Sequence, residues 1–303
     1  FACAIEHLDE TMKRGNLPIA DVARSLGGVN FRVGMEFMED IAKLRVARKM
    51  WHDLLVQRYG ITDPSALKLR IHVVTAGSAM TYQEPMNNIV RGTIMALASV
   101  LGGVQSLGVS GYDEALSIPS EEAHHMSVRI QQILMHETNL AKVVDPLGGS
   151  YYLESLSADL EEKAIEFLGE IEKQGGFIST LDSGWLHGKA SDNQYTMEQG
   201  LLNGNREVVG VNIHKGDGDP FGVDGFQGSD DVFERATNRL QDLRRERDSK
   251  GVLAALKNLE HSCKSGENIM GPMLSAVEAD ASLGEIGSIF RDVYGDWKVP
   301  ISF

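Results

Sequence analysis

Residues Leu67–Ser117 read LKLRIHVVTAGSAMTYQEPMNNIVRGTIMALASVLGGVQSLGVSGYDEALS. The apolar, β-branched run at Leu67–Val74 predicts a strand buried on both faces. A polar loop follows, then a helix over Asn88–Val100, a second strand over Val104–Val109, and a second polar loop. Both loops leave the C-terminal end of a strand. In a parallel β/α architecture, ligands bind at that edge.

Working outward, apolar side chains at Met38, Ile41, Leu44, Ala47, Trp51, Leu54 and Leu55 recur in steps of three and four. They predict a helix over residues 35–57, stopped at Gly60. A helix is also expected over Ala4–Met12, another capped by Ser120 and opened by Glu121 and Glu122, and a long one over Leu156–Lys173. Short strands are expected at Lys142–Val144 and Val208–Val211. The repeat is β/α, with about four or five strands before residue 215, roughly half of an eight-stranded barrel. From Ser229 onward only helices are expected, over Phe233–Lys250, Val252–Lys264, Asn268–Ala281 and Leu283–Tyr294. This divides the chain into residues 1–228, part of a (β/α) TIM-type barrel, and residues 229–303, a C-terminal helical cap.

The 303 residues suffice for a large core, and 24% charged with 42% hydrophobic residues is ordinary for a globular protein. No apolar run approaches the roughly 18 residues that span a bilayer, and no signal peptide is read, so a cytoplasmic protein is expected. Two cysteines, Cys3 and Cys263, suit a reducing compartment. A net charge of −14 argues against a nucleic-acid surface and obliges any anionic ligand to find local cations. The chain opens at Phe1 already inside a helical pattern, as a processed or truncated polypeptide would.

Several residues carry two readings. His72 alone reads as a satisfied core histidine, Gly77 as a turn residue and Glu114 as a solvated carboxylate. Gln105 reads as a strand amide whose burial calls for a partner. Other motifs fail. His124 and His125 do not share a helix face, and His136-Glu137 lacks the histidine of a zinc protease at position 140. Asp217-Gly-Asp219 stops short of a calcium loop at Phe221. Gly216–Gly222 has the wrong spacing for a dinucleotide site.

The quoted stretch resembles the catalytic subunit of the coenzyme-B12-dependent acyl-CoA mutases, the methylmalonyl-CoA mutase family. The family pattern runs roughly RxHxQTSGxSLTxQxPxNNIVR, then LGGTQSLHTNxxDEA. Here Arg70, His72, Thr75, Gly77, Thr81, Gln83, Pro85, Asn87-Asn88-Ile-Val-Arg91, Leu101-Gly-Gly, Gln105-Ser-Leu and Asp113-Glu114-Ala match it. Gly34–Arg45, Asp145–Tyr151 and Val209–Asn212 extend the likeness to nearly the whole chain, as the second half of that barrel. The resemblance implies adenosylcobalamin as cofactor and radical rearrangement of an acyl-CoA carbon skeleton. By the same resemblance His72, Val74 (in place of a glutamine) and Gln105 face the substrate, Gly77, Glu114 and Ser117 face the cofactor, and no catalytic residue falls in this chain. None of the nine histidines follows the Asp-x-His pattern of a cobalt ligand. The expected partners are therefore the N-terminal barrel half and a separate cobalamin-binding domain or subunit, in a hetero-oligomer.

The sequence departs from the family pattern at four places. Arg24–Gly28 lacks a clean Arg-Leu-Ser, Val74 replaces glutamine, Ser78 an aromatic residue, and Gly108 a histidine. The last three make the wall larger and less polar, which favours a bulkier branched or substituted succinyl-CoA over methylmalonyl-CoA. They also leave open a non-catalytic structural subunit. A cobalamin-independent lyase would need a Schiff-base lysine or metal cluster, and neither is read.

Overall fold

A computed structural model describes residues 1–15, 17–216, 228–229 and 231–300. The Asp217–Asp219 motif and most of the Gly216–Gly222 motif lie outside the described residues. Two compact units are distinguished, Phe1–Phe226 and Gln227–Val299, with Pro300 grouping with the first.

The first unit opens with helices α1 (Ala2–Arg14) and α2 (Ile19–Leu26), then strand β1 (Gly28–Val33) and helix α3 (Phe37–Tyr59). Glu39 and Asp40 in its first turn complement the helix dipole. Gly60 stops it in the left-handed conformation, φ 64°, its N–H reaching back to Leu55 and Val56 carbonyls. Strand β2 (Arg70–Thr75), helix α4 (Asn87–Leu101), strand β3 (Ser106–Gly108), helix α5 (Glu121–Glu137) and helix α6 (Tyr151–Lys173) follow, then α7 (Phe177–Asp182) and α8 (Trp185–Leu202).

The strands form one parallel sheet in the order β1-β2-β3. Its two faces differ. Val33, Ile71 and Val73 are buried in one cluster with Ile41, Leu44, Trp51 and Leu55 of α3 and Met95 of α4, with Val29, Phe31 and Leu107 packed against it. The alternate residues Asn30, Arg32, Arg70 and Ser106 are exposed and His72 is half-buried, while Val74 keeps 39% of its surface. The expected burial of β2 on both faces is therefore corrected: helices cover one side and the other is open and polar.

Two expected strands are absent. Lys142 ends a one-turn 3-10 helix and Val144 is 96% exposed. Val208–Val211 closes a turn around Gly210, φ 79°, leaving an isolated bridge from Val209 to Ile213. Among the described residues, neither short apolar run has a neighbouring strand to pair with. Strand β1, in contrast, was not foreseen. These three strands, followed mainly by helices, make an α/β fold consistent with part of a TIM-type barrel and a C-terminal helical region.

The second unit holds α9 (Val232–Glu246), α10 (Ser249–Ser265), α11 (Met270–Glu278) and α12 (Leu283–Tyr294), within a few residues of expectation. Leu259, Cys263, Ala276 and Ile286 form its core. Arg247 grips Glu285 with two bonds of 2.7 and 2.5 Å, and Ser282 with Glu285 forms a capping box on α12. Among the described residues no helix is long and apolar enough to cross a membrane.

Candidate active site at the sheet edge

The C-terminal edge of the sheet is built by hydrogen bonds between its two loops. Beyond the strand ends, Ser110 donates from its backbone N–H to the Thr75 hydroxyl (2.8 Å) and from its own hydroxyl to the Thr75 carbonyl (2.9 Å). Asn88, fully buried in the first turn of α4, bonds to both loops at once. Its Nδ2 donates to the carbonyls of Thr81 (2.9 Å) and Tyr112 (2.8 Å). Its Oδ1 accepts from the Thr81 N–H (3.0 Å) and Arg91 Nη1 (2.8 Å). Arg91 also donates to the Val209 carbonyl at 2.8 Å, and burial pushes its guanidinium pKa down. Asp113, buried in the second loop, accepts from the Ser120 N–H at 2.8 Å, fixing the start of α5. Burial, with Glu122 and Asp113 adding to it, raises the pKa of the neighbouring Tyr112 hydroxyl.

On this frame Gly77 and Glu114 come together. Gly77 opens a one-turn 3-10 helix after β2, and a Cβ there would lie 3.0 Å from Glu114 Oε1 and 3.1 Å from its Cγ. The missing side chain lets the exposed Glu114 carboxylate fold across the turn. Ser117 lies in the same loop, its N–H donating to the Asp113 carbonyl (3.1 Å) and its hydroxyl to the Ile118 carbonyl (2.8 Å).

His72 and Val74 lie side by side on the open face. His72 is the third residue of β2, and its Nδ1 is 2.6 Å from the Ser106 hydroxyl of β3. A Cβ on Gly108 would touch Val74 at 3.8 Å. Gln105 stands apart, just before β3, and is exposed where burial was expected. Its Oε1 accepts from the Ile71 N–H (2.7 Å) and its Nε2 donates to the Gly103 carbonyl (3.0 Å), so backbone satisfies both ends of the amide.

The open face also holds Arg70 and Ser106, and with them Asn30 and Arg32, which the sequence reading did not single out. The signal was the alternation in Gly28-Val-Asn-Phe-Arg-Val33, apolar at every second position. Elsewhere a cleft of about 540 Å³ opens between α3 and α6. Its charges are mutually paired: Arg45 with Asp145 (3.1 Å) and Glu154 (2.9 Å), and Lys49 with Glu161. Arg48 donates to the Gly102 carbonyl at 2.5 Å. Among the described residues no group of three or more His, Cys, Asp or Glu side chains is placed to hold a metal ion. The edge offers a carboxylate and a hydroxyl beside a turn without a side chain, which fits the amide rim of a macrocycle rather than its metal.

A parallel sheet, helix-covered on one side and open on the other, with tethered loops at its C-terminal edge, is an α/β unit consistent with part of a TIM-type barrel. The methylmalonyl-CoA mutase family profile matches residues 1–296. The chain belongs to this family of cobalamin-dependent acyl-CoA mutases. It is 36% identical over 264 residues to the 2-hydroxyisobutanoyl-CoA mutase large subunit of Aquincola tertiaricarbonis, covering 87% of this chain and 47% of that one. It is 34% identical over 305 residues to the methylmalonyl-CoA mutase of Escherichia coli K12, covering 99% and 42%. To the mitochondrial methylmalonyl-CoA mutase of Homo sapiens it is 32% identical over 271 residues, covering 88% and 36%. The chain thus spans less than half the length of these relatives.

Proposed function

We propose that this chain is part of an adenosylcobalamin-dependent acyl-CoA mutase, an isomerase that rearranges the carbon skeleton of an acyl thioester. The observation that carries the reading is the family match over residues 1–296, supported by the polar sheet face that ends in the Gly77–Glu114 turn. Adenosylcobalamin, when bound, supplies the radical chemistry. This chain's part is to bind and enclose. Gly77, Glu114 and Ser117 hold the rim of the cofactor, and His72 and Val74 line the path of the acyl-CoA. Gln105 holds β3 against β2 through Ile71 and Gly103 and keeps one amide N–H and one oxygen lone pair for the acyl-CoA.

β1 and β3 are the outer strands of the sheet, and their free edges suit pairing with the other half of a barrel. The A. tertiaricarbonis relative is named a large subunit, which supports a hetero-oligomer with a separate cobalamin-binding subunit here. The native full-length enzyme, loaded with adenosylcobalamin and offered a panel of acyl-CoAs, should release skeletal isomers detectable by mass spectrometry. No isomer from any thioester would sink the reading. Val74 and Gly108, without the polar groups of the family pattern, favour a second one, a non-catalytic structural subunit. In that case Gly77→Val in this chain leaves turnover of the assembled enzyme unchanged.

A further inference from the structure

Glu84 lies in the loop after β2 with φ 48°, a left-handed conformation that glycine adopts freely and a side chain resists. Among the described residues Asn139, Asp145, His214 and Asp280 also have a positive φ without being glycine. Glu84 differs from them in what its side chain touches. A Cβ on Gly210 would lie 2.9 Å from Glu84 Oε2, and a Cβ on Gly216 would lie 2.9 Å from Glu84 Oε1. The half-buried carboxylate is thus wedged against two glycines of a segment remote in sequence. Gly210 has a second reason to be glycine, its φ of 79°. Gly216 has no positive φ, and the described atoms that its Cβ would meet belong to Glu84.

Glu84 is also anchored on its own side. Its Oε2 accepts from Asn87 Nδ2 at 2.6 Å, at the start of α4. Burial lowers the pKa of Arg91, and the charge of Glu84 opposes that effect. Arg91 donates to the Val209 carbonyl at 2.8 Å and to the Thr81 hydroxyl at 2.7 Å. Arg91 and Glu84 therefore hold residues 209–216 at both ends, against the loop that begins at Gly77. Within that loop the Met80 N–H donates to the Gly77 carbonyl at 3.0 Å. A side chain kept in a strained backbone beside a candidate site points to a task there.

We infer that Glu84 is a positioning residue for the cofactor: by locking residues 209–216 onto the loop after β2, it holds the Gly77 turn in the conformation that receives Glu114. The inference rests on the reading of Gly77 and Glu114 as cofactor contacts. Glu84 acts on the turn through Asn87 and through the hydrogen bonds that join Thr81, Asn88 and Arg91.

Adenosylcobalamin titrated into the native full-length enzyme, followed by the corrin absorbance, tests the inference without need of turnover. Glycine takes this φ without strain, so Glu84→Gly should keep Tm close to wild type. Cobalamin should nevertheless bind roughly 2–30-fold more weakly, the range for coupling carried through a packed network. Gly216→Ala, whose methyl meets Oε1, should weaken binding in wild type and add nothing in Glu84→Gly, where the space is free. Hydrogen exchange, read without cofactor, should quicken in residues 77–81 and 209–216 together in each variant. Unchanged cobalamin affinity in Glu84→Gly overturns the inference, as do additive effects of the two substitutions. Exchange that quickens in residues 209–216 alone also overturns it. In each of these cases cobalamin still binds and the reading of Gly77 and Glu114 stands. If wild type binds no cobalamin, that reading fails and the inference with it.

Discussion

The imidazole Nδ1 of His72 lies 2.6 Å from the hydroxyl of Ser106, joining β2 to β3 on the open face of the sheet. The bond fixes the ring and leaves Nε2 as the nitrogen available to a ligand. Ser106→Ala should lower stability by about 0.5–1.5 kcal/mol, the value of one hydrogen bond. It should also free the ring to rotate, raising KM for the acyl thioester more than it lowers kcat. A urea titration and steady-state kinetics separate the two effects. An unchanged KM would leave His72 with a structural part only.

Gly77 and Glu114 should behave as one unit toward the cofactor. Gly77→Ala places a methyl 3.0 Å from the carboxylate oxygen and displaces the exposed Glu114 side chain. Glu114→Ala removes that side chain and should weaken cobalamin binding by about 1–3 kcal/mol. The double variant should be little worse than either single one, because neighbouring changes are not additive. Titration followed by the corrin absorbance reads all three affinities. Strict additivity would mean that the two residues act separately.

Asn88 should be the most sensitive position near the edge. Asn88→Leu leaves two loop carbonyls, one N–H and part of Arg91 without a partner in a buried setting. A buried unsatisfied group costs about 1–3 kcal/mol, so a drop of at least about 3 kcal/mol in unfolding free energy is expected. Hydrogen exchange should quicken in both loops, at Thr81 and around Tyr112 together. Exchange that quickens in one loop alone would contradict the tether.

Acid should loosen the helical unit. Hydrogen bonds from Arg247 hold the Glu285 carboxyl well below the usual carboxylate range; burial opposes them, and Ser282 adds to the lowering. Its folded pKa is thus depressed relative to the unfolded chain. The stabilisation is complete above the unfolded value of about 4.3 and is lost as pH falls below it toward the folded pKa. The Tm of wild type should therefore fall between about pH 5 and pH 3 by more than that of Glu285→Gln, in which nothing titrates at this place. Parallel curves for the two proteins would mean that other carboxylates dominate acid sensitivity.

The wall at Val74 and Gly108 sets a further expectation for the reaction. A Cβ at Gly108 already meets Val74 at 3.8 Å, so a larger side chain there fills the space beside it. Val74→Gln with Gly108→His should shift kcat/KM from bulkier thioesters toward methylmalonyl-CoA by about tenfold, or 1.4 kcal/mol in transition-state binding. If wild type already prefers methylmalonyl-CoA by that margin, these positions do not select the substrate.

Long periodic helices could be read from the chain because their pattern repeats several times. The stripe over Met38–Leu55 and the capped segment Leu283–Tyr294 are examples. Six-residue strands gave weaker signals. Val74 disguised the alternation of β2 by placing an apolar residue on the open face, so the strand read as buried throughout. Gly28–Val33 alternates cleanly, yet its glycine and asparagine resemble turn residues, and the strand was passed over. Gln105 shows why a site is harder still. A single amide in an apolar stretch implies some partner, but only coordinates reveal that it is the Ile71 backbone. Asn88 lay in plain view within a motif, and its part depends on two loops that are adjacent only after folding.

The alternation of β1 also limits how this strand can change over evolutionary time. Val29, Phe31 and Val33 face the helices, while Asn30 and Arg32 face the open side. Insertion or deletion of one residue would exchange the two sets, driving a guanidinium into the core and a phenyl ring onto the ligand side. Such a length variant fails as a protein before it can be tried as an enzyme. On the proposed reading, this face changes by point substitution, one side chain at a time, while the alternation constrains the length of the strand.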